Sequence, residues 1–311
     1  YTYNGKTYYF NYNNYVKIFQ WRAEEYRAKN IALTFEVLMS WSDAPVHQNL
    51  IYPGARQKAG HYYYALNVND TSSIEMLDAT FHFLTDIFGR KASFVQNWIV
   101  GNEINMPQEY NFTGSKDLNT NVVIATKTFD LFYKALQDNS PYAKQYICMT
   151  NHWNSDNTGT GIPAKNFITS FAANEKGKNW NIAYHAYPAL MTDMENTKAS
   201  ARYLRHDDGT QMVTAANLEI LTNFIKNNYG SSHRVILSEQ GFDAAQGTEE
   251  QACMIAYTYN LAANNDLVDA AIFVDWQDNS NITHEGRKFG FLDASGNKRS
   301  SYNTFKYMNT S

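Results

Sequence analysis

Short apolar runs alternate with longer amphipathic stretches along this chain, and the alternation predicts strands and helices in turn. Ile31–Met39 is almost continuously apolar, the pattern of a strand whose two faces are both covered in a parallel sheet. It predicts a buried strand. Phe94–Val100, Tyr146–Thr150, Asn181–Tyr184, Arg234–Ser238 and Ala270–Val274 predict five more. Helical spacing fills the intervals, at Tyr15–Ala28, Val122–Leu136, Ala164–Ala173, Thr214–Asn227 and Glu249–Ala263, and again at Ser301–Met308. The clearest helix carries Ile74, Leu77, Phe81, Leu84 and Phe88 on one face. Ser72 and Glu75 ahead of it have the spacing of a capping box, and Gly89 reads as its stop. Near the start, Asn4-Gly5 between two aromatic runs predicts a hairpin turn.

Strands and helices that alternate in this way build parallel βαβ units. No linker rich in Pro, Gly or Ser and no shift in composition divides the chain, so residues 1–311 read as one α/β domain. Six core strands are visible, whereas a closed (β/α)8 barrel has eight. The opening hairpin supplies no parallel strand with a crossover. Either two strands of a TIM barrel precede residue 1, or the sheet is open.

Composition narrows the partners. With 26 Lys and Arg against 30 Asp and Glu, the net charge of −4 offers no basic face for nucleic acid. No apolar run reaches the length that spans a bilayer. Cys148 and Cys253 form at most one bridge and read more simply as buried thiols. The 23 Tyr, 18 Phe and 6 Trp make 15% of the chain aromatic. Tyr and Trp pair an apolar face with a polar edge, which suits sugar rings as well as protein cores. The chain begins at Tyr1 without a leader pattern, and a processed or shortened N-terminus is expected.

Two strand ends carry the candidate chemistry. Trp98-Ile-Val-Gly-Asn-Glu-Ile-Asn105 delivers Asn102 and Glu103 at the C-terminal edge of an apolar strand, and Arg234-Val-Ile-Leu-Ser-Glu-Gln-Gly-Phe242 delivers Glu239 in the same way. Barrels and open α/β sheets put their active sites at that edge. A carboxylate leaving an apolar strand is partly desolvated, which raises its pKa toward that of a general acid. Two such carboxylates stand three βα units apart in one parallel array, and glycoside hydrolysis requires two carboxyl groups on opposite sides of one bond, one to protonate the leaving oxygen while the other attacks the anomeric carbon or activates water.

On these motifs the chain resembles the clan A glycoside hydrolases, retaining enzymes on a (β/α)8 barrel, and most resembles a bacterial group of glycosidases of unassigned substrate. In that clan Asn-Glu ends the fourth strand and a second Glu ends the seventh. The resemblance therefore implies Glu103 as acid/base, Glu239 as nucleophile and two strands ahead of residue 1. It implies that Asn102 bonds the sugar 2-hydroxyl, and that His185 or Tyr187 of Tyr184-His-Ala-Tyr-Pro188 holds Glu239. Trp276 would floor the sugar subsite, and Gly290-Phe-Leu-Asp-Ala-Ser-Gly-Asn-Lys-Arg299 resembles the tail leading into the last helix. His152 and Trp153 are either subsite walls or a pair packed under the rim.

The implied function is hydrolysis of O-glycosidic bonds in a β-linked oligo- or polysaccharide. The rival is a non-catalytic carbohydrate-binding barrel, and a lyase or isomerase with Glu103 as base is a third reading. Glu36 reads either as a barrel-interior ligand or as part of a buried ion pair, and Asp275 and Asp278 as substrate ligands or loop anchors. Glu249 and Glu250 suit a helix start. His152, His185, His206 and His284 lack metal-ligand spacing, and His206-Asp-Asp-Gly209 reads as a turn. Neither a dinucleotide fingerprint, a Walker lysine nor a nucleophile elbow is present, so neither metal nor cofactor is expected. Asn69, Asn111 and Asn281 head N-glycosylation patterns. A secreted or cell-surface monomer is expected from the function alone. The loops 41–69 and 106–121 are expected to set specificity.

Overall fold

The apolar runs become strands, the first two shorter than the predicted runs and the other four a residue or two longer. The computed structural model describes residues 1–56, 59–90, 94–156, 158–190, 202–278 and 286–309. The opening hairpin pairs β1 (Thr2–Tyr3) with β2 (Lys6–Thr7), turning through Asn4 and Gly5 at positive φ as the sequence predicts. A π turn leads into α1 (Lys17–Ala28). The chain continues through β3 (Thr34–Val37), α2 (Pro45–Leu50), α3 (Thr71–Thr85), β4 (Asn97–Val100), α4 (Leu118–Asn139), β5 (Lys144–Thr150) and α5 (Ala164–Asn174). It ends with β6 (Asn181–His185), α6 (Glu219–Tyr229), β7 (Val235–Gln240), α7 (Thr248–Ala263), β8 (Val268–Phe273) and α8 (Ser300–Tyr307). Strands β3 to β8 take the order of the chain, as successive βα units do.

Packing resolves two compact units. The first comprises Tyr1–Cys148, Thr158–Ile162 and Asn166–Asn181. Here β3, β4 and β5 run parallel, with Phe35 level with Trp98 and Trp98 level with Gln145. Trp98 is fully buried, with the rings of Phe35, Phe88 and Phe132 at 5.5, 6.4 and 5.4 Å. The helical face of Leu77, Phe81 and Phe88 and that of Phe132 and Leu136 close on this centre, so the predicted stripes of α3 and α4 bury as expected.

Three local expectations fail here for physical reasons. Among the described residues strand β3 is the first of the sheet, pairs with β4 and is half-buried. Phe35 and Val37 pack on the core, which puts Glu36 on the opposite face, exposed, and removes the buried ion-pair reading. The capping box at Ser72 does not form. Helix α3 begins at Thr71 with Asp70 at the cap, so Ser72 is already helical, and Glu75 pairs instead with Lys6 of the hairpin. Gly89 lies inside a π turn, Asp86–Arg90, where a Cβ would come within 2.6 Å of Ser140 Cβ. Close approach, not helix termination, requires glycine there.

The second unit comprises Met149–Asn157, Pro163–Lys165 and Ile182–Ser311. Strands β6, β7 and β8 run parallel, with Ile182 level with Val235 and Leu237 with Ala271. The register against β8 shifts between Leu237 and Gln240, so Glu239 lies within an irregularity rather than in the regular ladder. Phe242, Met254, Ile255 and Phe291 form a core between β7, α7 and the tail before α8. Thr214 and Asn217 make a reciprocal capping box ahead of α6. The two cysteines form no disulfide; Cys148 is buried as expected, but Cys253 is exposed on α7. Among the described residues no helix is long and apolar enough to cross a membrane.

Candidate active site

In the first unit, β4 ends by handing its chain to a tight turn. The Gly101 N–H donates to Val37 O at 2.9 Å, and Gly101 takes a φ of 84°. Glu103 follows at φ 39°, the left-handed region that a non-glycine residue enters at a cost of about 1–2 kcal/mol. Among the described residues the other non-glycine residues there are Asn4 and Asn30, whose side chains tolerate it. The turn is fastened on each side. Ile104 N–H donates to Cys148 O at 2.9 Å, and Met106 N–H donates to Glu103 O at 2.7 Å. Asn105 exchanges bonds with Ile162, donating from Nδ2 to its carbonyl at 3.0 Å and accepting its N–H at 2.7 Å. Asn102 is buried, and its Oδ1 accepts from the Cys148 thiol at 3.7 Å. Glu103 is 7% exposed, on a backbone with little freedom to move.

In the second unit, the carboxylate of Glu239 is held from two directions. Tyr187 Oη donates to Oε1 at 2.5 Å, and His185 Nδ1 lies 3.5 Å from Oε2. The sequence leaves the choice between His185 and Tyr187 open; the geometry uses both. Both partners are buried, whereas the Glu239 side chain keeps 25% exposure. A carboxylate anchored at its base and open to solvent can meet a ligand in one orientation. Behind it, Tyr187 stacks on Phe289 at 5.8 Å and meets His185 edge-on. The Tyr187 carbonyl accepts from Asn151 Nδ2 at 2.9 Å. Phe289 is in turn lodged against Gly241, where a Cβ would come within 2.7 Å of its ring. Asn151 and Phe289 carry no sequence signal of their own; glycine directly after Ser-Glu-Gln is the one hint of a close neighbour.

The remaining predicted residues divide. Trp276 is 56% exposed and braced edge-on by Phe291 and Tyr302, an orientation open to a sugar face. Trp153 is fully buried, edge-on to Phe224 at 5.2 Å. It packs under the rim and presents no surface to a ligand. His152 is largely buried, with Asp156 3.5 Å from its Nδ1 and its backbone bridged to Met212. Asp278 pairs with Arg299 at 2.5 Å and accepts the Gly290 N–H, so it anchors the tail loop. Glu249 and Glu250 occupy the first turn of α7. His206 pairs with Glu219 at 2.6 Å, and Asp207 closes the expected turn on Arg205 and Gly209. The bond from Arg205, and then that from the Gly209 N–H, hold the Asp207 carboxyl below its usual range. Among the described residues no three His, Cys, Asp or Glu side chains gather as a metal ion requires. Asn69 is exposed, but Asn111 is buried against the Gly101 turn and is closed to glycosylation. Asn281-Ile282-Thr283 and His284 lie outside the described residues.

Solved structures share the fold. A fungal β-1,4-galactanase matches 94% of this chain and 83% of its own, with a TM-score of 0.62 and 16% identity. The intracellular xylanase TsXylA of Thermoanaerobacterium saccharolyticum matches 96% of this chain and 82% of its own, at 0.60 and 13%. The family 1 β-glucosidase of Thermotoga maritima matches 94% and 76%, at 0.58 and 12%. The chain therefore shares the (β/α)8-barrel fold of these structures, of which the described residues contain six strands. No curated protein matches the sequence. The family model that matches, over residues 1–311, is described as a family of unknown function, DUF5722, and the chain belongs to that family.

Proposed function

We propose that this chain is a retaining glycoside hydrolase acting on β-linked oligo- or polysaccharide. The observation that carries the reading is the double anchoring of a half-open Glu239 by Tyr187 and His185 at a strand's C-terminal end. The glycosidase fold and the buried, strained Glu103 at the end of β4 support it. In the first step a Glu239 oxygen attacks the anomeric carbon, the C1–O bond breaks, and Glu103 gives its proton to the departing oxygen. In the second, Glu103 takes a proton from water, the water oxygen bonds to C1, and Glu239 leaves as carboxylate. Asn102, carried beside Glu103, donates to the sugar 2-hydroxyl, and Trp276 stacks on a sugar face. A secreted or cell-surface location is part of the same proposal and rests on the proposed polymeric substrate alone.

Kinetics on aryl β-glycosides test the assignment. Glu239→Gln abolishes turnover. Glu103→Ala retains the first step on 2,4-dinitrophenyl leaving groups, which need no acid, and loses it on alkyl or sugar leaving groups. Equal loss on both classes contradicts Glu103 as the acid.

A further inference from the structure

The loop that follows Glu103 carries a second aromatic feature, separate from Trp276. Tyr62 and Tyr110 stack on each other with centroids 5.1 Å apart and planes 26° apart. Tyr62 is 56% exposed. One of its faces is turned to Tyr110, so much of that exposure belongs to the other face and the ring edge.

The exposure is not that of a loose loop. On one side of Tyr62, the His61 ring stacks on Phe112 at 3.6 Å, and the His61 backbone N–H donates to the Tyr64 hydroxyl. On the other, Tyr63 O accepts from Phe112 N–H at 2.9 Å, and Tyr64 is buried against Trp41 and Phe112. Neighbours that pack inward on both sides hold Tyr62 outward. Tyr110 is likewise fixed, its N–H donating to Met106 O at 3.1 Å. Met106 N–H itself donates to Glu103 O. Two successive hydrogen-bonded turns thus join Glu103 to Tyr110, the first spanning less than about 7 Å between its ends, which keeps Tyr110 within reach of a chain bound at Glu103. Tyr142 is more exposed still, at 86%, but it lies just ahead of β5, at the opposite end of the strands.

We propose that the Tyr62–Tyr110 pair is a sugar-stacking subsite that holds a polysaccharide chain some units away from the bond cleaved. The C–H face of a pyranose would lie on the open face of Tyr62, while the hydroxyls remain available to its neighbours. The inference deepens the glycosidase reading by making the substrate a chain rather than a disaccharide, and the assay below reads binding without cleavage.

The test is electrophoresis of the Glu239→Gln protein through gels containing β-1,4-galactan, xylan or mixed-linkage β-glucan. At least one polymer retards it. In that gel Tyr62→Ala and, separately, Tyr110→Ala weaken the apparent affinity about three- to tenfold, Tyr62→Trp restores it, and Tyr142→Ala changes nothing. Cooperative melting of each variant confirms its fold. Absence of retardation in every gel, or equal retardation of Tyr62→Ala and its parent, overturns the proposal. Retardation that depends on Tyr62, in a protein whose Glu239 form releases no sugar, upholds the subsite and removes the hydrolase reading.

Discussion

Replacing Tyr187 by Phe removes one oxygen and leaves the ring. Its stack on Phe289 and its edge contact with His185 persist, so the melting temperature moves by no more than a few degrees. What is lost is the 2.5 Å bond to Glu239 Oε1. A hydrogen bond to a full carboxylate charge is worth about 1.5–3 kcal/mol. In the second step of the proposed reaction Glu239 leaves as carboxylate, and at the transition state about half of that charge has returned. The variant therefore forfeits about 0.75–1.5 kcal/mol there, a slowing of about four- to thirteenfold. In the first step the same charge is being consumed, so loss of the bond does not slow attack by that route. The steps separate, and the glycosyl-enzyme accumulates. Stopped-flow release of dinitrophenolate from an activated β-glycoside shows a burst equal to the enzyme concentration, followed by the slowed steady state. An unchanged steady-state rate without a burst, in a variant that melts normally, refutes the reasoning.

Three further outcomes test the packing. Glu175 is fully buried, and burial first of all pushes its carboxyl pKa up, against the pull of Lys178 at 2.9 Å. A group raised in the folded state stabilises the fold below its ordinary value near 4.5 and loses that contribution as pH rises through the raised value. Glu175→Gln stays neutral, so its stability relative to the parent grows with rising pH; urea unfolding that shows a constant or shrinking difference contradicts this. Arg299→Leu leaves Asp278 buried without its cation and costs about 3–5 kcal/mol, a fall in melting temperature that Asp278→Asn partly restores; full stability in the single variant contradicts the anchoring role. Gly89→Ala drives a Cβ against Ser140 and costs about 1–3 kcal/mol. Ser140→Gly removes the obstructing atom and recovers part of that, whereas additive losses by thermal melts count against the contact.

What the sequence made legible is what local pattern controls. The apolar runs ending in Gly101-Asn-Glu and Ser-Glu-Gln-Gly placed both carboxylates at strand ends, and Asn4-Gly5 set its hairpin. The failures concern neighbours that the pattern does not contain. Ile31–Met39 forms its strand over Thr34–Val37 only, and the run does not say which of its faces packs on the core. Ser72 and Glu75 had the spacing of a cap, but α3 begins one residue earlier with Asp70 at the cap, and Glu75 pairs with Lys6, far away in sequence. Trp153 and Cys253 were read by residue type, and packing placed the first inside and the second outside. The support of Tyr187 by Asn151 and Phe289 joins segments more than thirty residues apart, which periodicity cannot register.

The claim that Glu239 is the nucleophile is tested most directly by trapping. 2,4-Dinitrophenyl 2-deoxy-2-fluoro-β-glycosides of galactose, glucose and xylose slow both steps, the second more, so a covalent sugar persists on the attacking residue. Peptide mass spectrometry after such treatment is expected to find one fluoroglycosyl group, on Glu239, and none in Glu239→Gln. A label on another carboxylate, or hydrolysis of the ordinary glycosides with inverted anomeric configuration and no trapped sugar, contradicts the account.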